Sequence, residues 1–293
     1  MRRLIGVPCH CTHLPGGLRN PPQTGAFMDF QKLLLRRVGK AIHDYNMIRE
    51  GDRVAIGVSG GKDSLALLDA LLSLRKRSPV RYSLQAFTVE QGKFVRPIAP
   101  LGEHMKARGV PWTCYLDEPS FRLLEEQPEH GCDICSRYRR RAVYDIASQL
   151  GANVVALGHT QDDFCEALLR NTLYTGRLSA LPALTNSRSG DFRLIRPLVY
   201  VSEEVTQGYA EQQSIPVTPC VCSHKTGTVR ERLRGFLTET KKETPHVLEN
   251  ILSAMQRIET RRLLDRRFLD DRADRFEATP TSDPLPVLGE ETL

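Results

Sequence analysis

Apolar positions along this chain keep switching between two periods. Leu33, Leu34, Val38, Ile42 and Met47 form one helical stripe, with Lys32, Arg36, Arg37 and Lys40 outside it, which predicts an amphipathic helix within Asp29–Ile48. Val54-Ala55-Ile56-Gly57-Val58 is a continuous apolar run, as expected of a strand buried on both faces, and Leu65 to Leu72 return to helical period. The exchange then repeats: a strand at Tyr82–Val89, a helix around Ala99–Arg108, a strand at Trp112–Leu116, a helix through Val143, Ile146, Ala147 and Leu150 that Gly151 ends, a strand at Asn153–Leu157 and a helix over Asp162–Leu173. Such alternation predicts an α/β fold with a doubly wound parallel sheet.

The connections carry weaker signals. Glu118–Gly131 is expected to be irregular, Thr175–Asp191 a loop containing Pro182, and Leu194–Leu198 a short strand. Ser202-Glu203-Glu204 opens a helix that runs to about Gln213, and two basic helices follow at Val229–Thr240 and Val247–Phe268. This divides the chain into a lead-in at 1–27 and a main domain at 28–224, then basic C-terminal helices at 225–269 and a tail at 270–293. The proline- and glycine-bearing lead-in and the acidic tail are expected to be disordered. Met28 stands directly before the first helical stripe, which marks it as an alternative start of translation.

Composition narrows the class. With 40% apolar and 26% charged residues, and neither a membrane-length apolar run nor a leader-like N-terminus, the chain is expected in the cytoplasm and off the membrane. Its formal charge is +6, yet 269–293 alone holds seven acids and two arginines, a net −5, so the remainder carries +11. A body that basic calls for a polyanionic partner, with nucleic acid the first candidate. Eight cysteines, at positions 9, 11, 114, 132, 135, 165, 220 and 222, point in a cytoplasmic chain to metal ligation or catalysis rather than to disulfides. Cys9-His10-Cys11-Thr12-His13 lacks a second ligand pair at finger spacing, while Cys114 and Cys165 lie in periodic segments and are expected to pack in the interior.

The chemistry lies at the strand-to-helix turns. Ser59-Gly60-Gly61-Lys62-Asp63-Ser64 joins Val58 to an apolar helix, a turn whose amides and helix dipole suit a phosphate group. Gly158-His159-Thr160-Gln161-Asp162-Asp163 makes a second such turn. Gly158 there would let a ligand approach the backbone, and His159 is either a nucleotide contact or a structural histidine. Two adjacent carboxylates beside phosphate need a divalent cation between them, so Asp162 and Asp163 read as Mg²⁺ or helix-start groups, and Lys62 as the cation facing a departing pyrophosphate. Val89, at the carboxyl end of its strand, would lie beside the nucleotide. Cys132 and Cys135 at C-x2-C spacing, with Cys220 and Cys222 far along the chain, read as one metal centre. Spacing alone leans to a closed zinc site, and a three-ligand iron–sulfur cluster is the sharper alternative. Arg137, Arg139, Arg140 and Arg141 directly follow the cysteine pair and are candidates for neutralising RNA phosphates.

Ser59–Ser64 resembles the PP-loop of the ATP-pyrophosphatase superfamily, whose Rossmann-like fold binds ATP and transfers AMP with release of pyrophosphate. The wider set is Cys132-Asp133-Ile134-Cys135-Ser136-Arg137-Tyr138-Arg139-Arg140, Leu157-Gly158-His159-x-x-Asp162-Asp163, Ile195-Arg196-Pro197-Leu198 and Pro219-Cys220. In that order it resembles the bacterial tRNA 2-thiocytidine synthetases from about Asp29 to Phe268. The resemblance implies a [4Fe–4S] cluster on Cys132, Cys135 and Cys220. It also implies activation by ATP of the C2 carbonyl of cytidine 32 in tRNA, whose oxygen cluster-bound sulfur replaces. Departures are Pro219-Cys220-Val221-Cys222 where the family has Pro-Cys-x-x-Cys, which makes Cys222 the alternative third ligand, and Ala180-Leu181-Pro182 where it has Gly-Met-Pro. The expected partners are tRNA and a sulfur donor such as a cysteine desulfurase or free sulfide, with the chain as a homodimer. Thiolation of a tRNA uridine is the nearest alternative, followed by a PP-loop ligase or amidase with structural zinc. A non-catalytic iron–sulfur sensor of nucleic acid would need neither nucleotide element.

Overall fold

The computed structural model describes residues 28–92, 98–126, 132–187, 190–218 and 228–268. Along them run α1 (Phe30–Asp44), β1 (Asp52–Gly57), α2 (Lys62–Arg75), β2 (Tyr82–Glu90), α3 (Ala99–Ala107), β3 (Trp112–Leu116), α4 (Glu118–Glu126) and α5 (Cys132–Gln149). Then follow β4 (Val154–Leu157), α6 (Gln161–Thr175), β5 (Leu184–Asn186), β6 (Arg193–Ile195), α7 (Glu203–Gln212), α8 (Val229–Glu243) and α9 (Val247–Gln256).

The strands form one sheet in the order β3-β2-β1-β4-β6-β5, parallel throughout except for β5, which pairs antiparallel with β6. From β1 the chain builds outward through β2 to β3, then returns to the other side of β1 with β4. That reversal between β1 and β4 opens a crevice at their carboxyl ends, where doubly wound sheets bind ligands.

The period-two alternation of the strands sorts their side chains into two layers. Val54, Ile56, Leu84, Ala86, Val154, Ala156 and Ile195 pack with α1, α2, α3 and α7, whereas Ala55, Phe87, Val155 and Leu194 pack with Val143, Ile146 and Ala147 of α5. α2 is buried almost all round: Leu65, Leu67, Leu68 and Leu71 are fully enclosed, each contributing roughly 1.5–3 kcal/mol. Its Asp69 is satisfied by Arg108 after α3 (2.9 Å) and by the Tyr209 hydroxyl of α7 (3.2 Å), so one buried carboxylate locks three helices together. At the amino edge Asp52 of β1 accepts from Arg193 (2.6 Å) and Asn153 (3.0 Å), stitching three parallel strands.

Several expectations change. Glu118–Gly131 is not irregular throughout, because α4 occupies Glu118–Glu126. Thr175–Asp191 contains β5, and the strand expected to reach Leu198 ends at Ile195. The last helix stops at Gln256 rather than Phe268, and its sequence VLENILSAMQ is not basic. α8 and α9 close onto α6 through a small core of Cys165, Leu237 and Leu248, with Leu169, Val247 and Ile251 around it. Cys165 is a packing residue as expected, its thiol pushed up to about 12 by burial. Cys114 is not: the edge strand β3 leaves it exposed. The lead-in at 1–27 and the tail at 270–293 lie outside the described residues.

Candidate active site

The turn after β1 is shaped by two close approaches. Val58 continues the ladder for one residue, its N–H donating to Phe87 O (2.8 Å) while its carbonyl accepts from the Thr88 hydroxyl (2.8 Å). Gly60 then adopts φ +77°, a left-handed conformation that favours glycine, and Gly61 is the extended N-cap of α2. No side chain among the described residues caps this helix, so its first-turn amides lack intrahelical acceptors. Ser64 closes the turn: its hydroxyl donates to Gly61 O (2.9 Å) and accepts from Ser59 N (3.1 Å). Lys62 stands at the mouth, its ammonium 2.9 Å from Asp63 Oδ1 and 3.8 Å from Glu203 Oε2. Asp63 is held in turn by the Thr206 hydroxyl of α7. A cleft of about 340 Å³ opens beside Lys62, bounded by Gln207, Ala210, Ile215 and Val217. Val89 sits at the carboxyl end of β2, half-buried on the α5 side.

The second turn is built against the first. A Cβ placed on Gly158 would lie 3.0 Å from Ser64 Cα and 3.1 Å from Ser64 N, so the close approach that needs glycine here is that of the α2 backbone rather than of a ligand. His159 Nδ1 is buried with no hydrogen-bond partner among the described residues. Burial holds its ring down at about 4; Asp163 opposes that shift, and the charges of Arg196, Arg139 and Arg230 reinforce it. The imidazole is therefore neutral at physiological pH. Asp163 accepts from Thr160 N (2.9 Å) and starts α6, while Asp162 accepts from Glu203 N (2.7 Å) and starts α7. Burial raises the carboxyl of Asp162 above its ordinary range, as it does that of Glu203.

The sequence motifs passed over the groups that surround these turns. Arg230 of α8 pairs with Asp163 and donates to Glu166 (2.8 Å). One turn on, Arg234 donates to Glu166 (2.8 Å) and to Glu203 (2.6 Å). Arg196, in Ile195-Arg196-Pro197-Leu198, donates to Pro182 O (2.6 Å) and leaves a buried Nε without a partner among the described residues; burial brings its guanidinium down to about 10. The one advance signal was the i,i+4 spacing of Arg230 and Arg234.

Topology places the helix that begins at position 132. α5 ends at the amino edge of the sheet, where Leu150 O accepts from Gln85 (3.0 Å) and Gly151 O from Arg53. Its 18 residues, rising about 1.5 Å each, span roughly 27 Å and carry the first turn back toward the carboxyl edge of the sheet. Positions 132 and 135 stand one turn apart on that helix start; the cysteine side chains lie outside the described residues, as do Cys220 and Cys222. Two residues before Cys220, Thr218 N donates to Gly60 O (2.8 Å), which ties the approaching chain to the first nucleotide turn. Arg137, Arg139, Arg140 and Arg141 are exposed along α5.

A PP-loop domain model matches residues 31–241. The chain is 38% identical over 262 residues, 88% of it and 83% of its relative, to the tRNA-cytidine(32) 2-sulfurtransferase of Alkalilimnicola ehrlichii. It is 39% identical over 240 residues, 80% of it and 88% of its relative, to the protein of that name from Pelobacter propionicus. In fold it is similar to the U34-tRNA thiolase NcsA from Methanococcus maripaludis, solved with its [4Fe–4S] cluster, at a TM-score of 0.62, 20% identity and 78% coverage of both chains. The chain thus belongs to the PP-loop domain family and, within it, to the family of the tRNA-cytidine(32) 2-sulfurtransferases.

Proposed function

We propose that this protein is an ATP-dependent tRNA thiolation enzyme that converts cytidine 32 to 2-thiocytidine. The C2 oxygen of the base attacks the α-phosphate of ATP and pyrophosphate leaves. A sulfur nucleophile then adds at C2, and AMP departs with the original oxygen.

The residues divide this work by geometry. Val58 to Ser64 form the triphosphate cradle, with the uncapped amides of α2 and the Lys62 ammonium set against charge that grows on the departing pyrophosphate. Gly158 holds the second turn on the first. His159, neutral and with an Nδ1 that has no partner among the described residues, offers one hydrogen bond to the nucleotide or the base. Magnesium is expected to arrive on the triphosphate: both oxygens of Asp163 are engaged, by Thr160 and Arg230, and Asp162, bonded to Glu203 N, offers it a single oxygen rather than a cage.

Cys132, Cys135 and Cys220, with Cys222 the alternative third ligand, would hold a [4Fe–4S] cluster. The donor set fits, because two positions one turn apart on a helix and a third thiolate leave one iron without a protein ligand. When bound, the cluster supplies a Lewis-acidic, thiophilic iron able to carry sulfide. The observation that carries this assignment is the hydrogen bond from Thr218 N to Gly60 O, which binds the route to Cys220 to the cradle itself. Arg137, Arg139, Arg140 and Arg141 would meet tRNA phosphates on the same edge. A cysteine desulfurase or free sulfide would provide the sulfur, and a homodimer would be the working form.

Comparing nucleosides from tRNA of a deletion strain and its parent by mass spectrometry tests the reading. Loss of 2-thiocytidine is expected, restored by the parent gene but not by Lys62→Ala, which should cut tRNA-dependent pyrophosphate release by roughly 10²–10³-fold. Unchanged 2-thiocytidine would overturn the assignment, and loss of a thiouridine instead would move it to another base.

A further inference from the structure

α8 carries the basic residues expected of an RNA-binding helix, yet two of its arginines are spent internally. Arg230 and Arg234 straddle Glu166, each donating an Nε–H to one of its oxygens at 2.8 Å, and Glu166 is only 5% exposed. Beyond Glu166 the two guanidiniums diverge: Arg230 reaches Asp163, at the start of α6, and Arg234 reaches Glu203, at the start of α7 (2.6 Å). The second oxygen of Glu203 faces the Lys62 ammonium at 3.8 Å. Lys62 thereby connects to α8 through Glu203, Arg234 and Glu166.

We infer that Arg234, seconded by Arg230, is a positioning residue of the nucleotide site, clamping α8 across the starts of α6 and α7 so that Glu203 is satisfied without capturing Lys62. The inference rests on the reading of Lys62 as a phosphate-binding cation. In the clamp the Arg234 guanidinium neutralises Glu203, so that the Lys62 ammonium, resting on Asp63 at 2.9 Å, is not also held by a second carboxylate against phosphate. Without Arg234, Glu203 keeps Lys62 as its nearest cation, and phosphate must compete with a half-buried carboxylate for it. The planar fork of arginine spans two carboxylates at once, which a lysine cannot do. Arg230 supports the clamp from the other side, pairing Asp163 and sharing Glu166 with Arg234.

The test uses the full chain and a non-hydrolysable ATP analogue, whose affinity calorimetry measures without tRNA. Arg234→Met should weaken analogue binding by roughly tenfold. Glu203→Gln added to it should restore much of the affinity, because the competing carboxylate is gone. Arg234→Lys should fall between parent and Arg234→Met, which keeps the inference testable should the methionine variant fold poorly. Affinity for tRNA and its salt dependence should be unchanged in all of them. Weakened tRNA binding with unaltered analogue affinity would overturn the inference, as would a double variant worse than Arg234→Met or an Arg234→Lys equal to the parent. A parent protein that binds the analogue yet releases no pyrophosphate with tRNA would sink the thiolation reading while leaving the clamp to be judged on its own data.

Discussion

A single absent methyl group joins the two nucleotide turns. The space beside Gly158 is filled by the backbone of Ser64, so Gly158→Ala must push apart the starts of α2 and α6 rather than displace a flexible side chain. That overpacking is expected to cost about 1–3 kcal/mol. It should appear as a lowered Tm together with weaker binding of an ATP analogue; an alanine variant matching the parent in both would show that the contact is slack. His159 gives a prediction in pH. Its ordinary value of 6.5 falls to about 4 on folding, so the unfolded chain takes up a proton that the folded one refuses, and stability falls as pH drops through that window. Asp162 and Glu203, raised by burial, act in the opposite sense, which is why the comparison needs a variant. His159→Gln should flatten the loss of stability between about pH 6.5 and 4 relative to the parent in chemical denaturation, and leave stability above pH 7 without further pH dependence from this site. At this scale the sequence was readable where neighbours in space are neighbours in the chain. Ser59 to Ser64 could be read directly, whereas Arg230 and Glu166, 64 residues apart, meet only through the packing of α8 on α6.

Among the elements, legibility tracked length and period. Long helices and buried strands announced themselves, but β5 has three residues and too short a run to show alternation, and it exists because β6 offers an edge for it to pair with. α4 was hidden by Pro119 and a dense charge pattern, although Pro is well tolerated in a first helical turn. Cys114 was assigned inward by alternation alone, which cannot reveal that its strand is the last in the sheet. α5 carries the most testable consequence. Arg139 is exposed on α5, and its charge is one of those that keep His159 neutral. Arg139→Ala should weaken tRNA binding and lower the slope of log affinity against log salt by about 0.7–0.9, leaving analogue binding intact. An unchanged slope would show that the arginine touches no phosphate.

For the molecule as a whole, topology supports what motifs propose at the two nucleotide turns. The reversal between β1 and β4 brings the two nucleotide turns to one end of the sheet, and the bond from Thr218 to Gly60 fixes the last described residue before Cys220 there. Anaerobically purified parent protein is expected to be brown and to contain iron and acid-labile sulfide, and Cys132→Ala to lose both while still binding an ATP analogue. Colourless, zinc-loaded parent protein would return the cysteines to a structural role. The far end of the sheet, where Arg193 and Asn153 grip Asp52 and where Glu50, Arg81 and Gly151 stand exposed, holds none of the proposed site groups among the described residues. A dye or a surface tether fixed at Glu50 would sit a strand's length from the proposed nucleotide crevice and should report docking there without standing in its path.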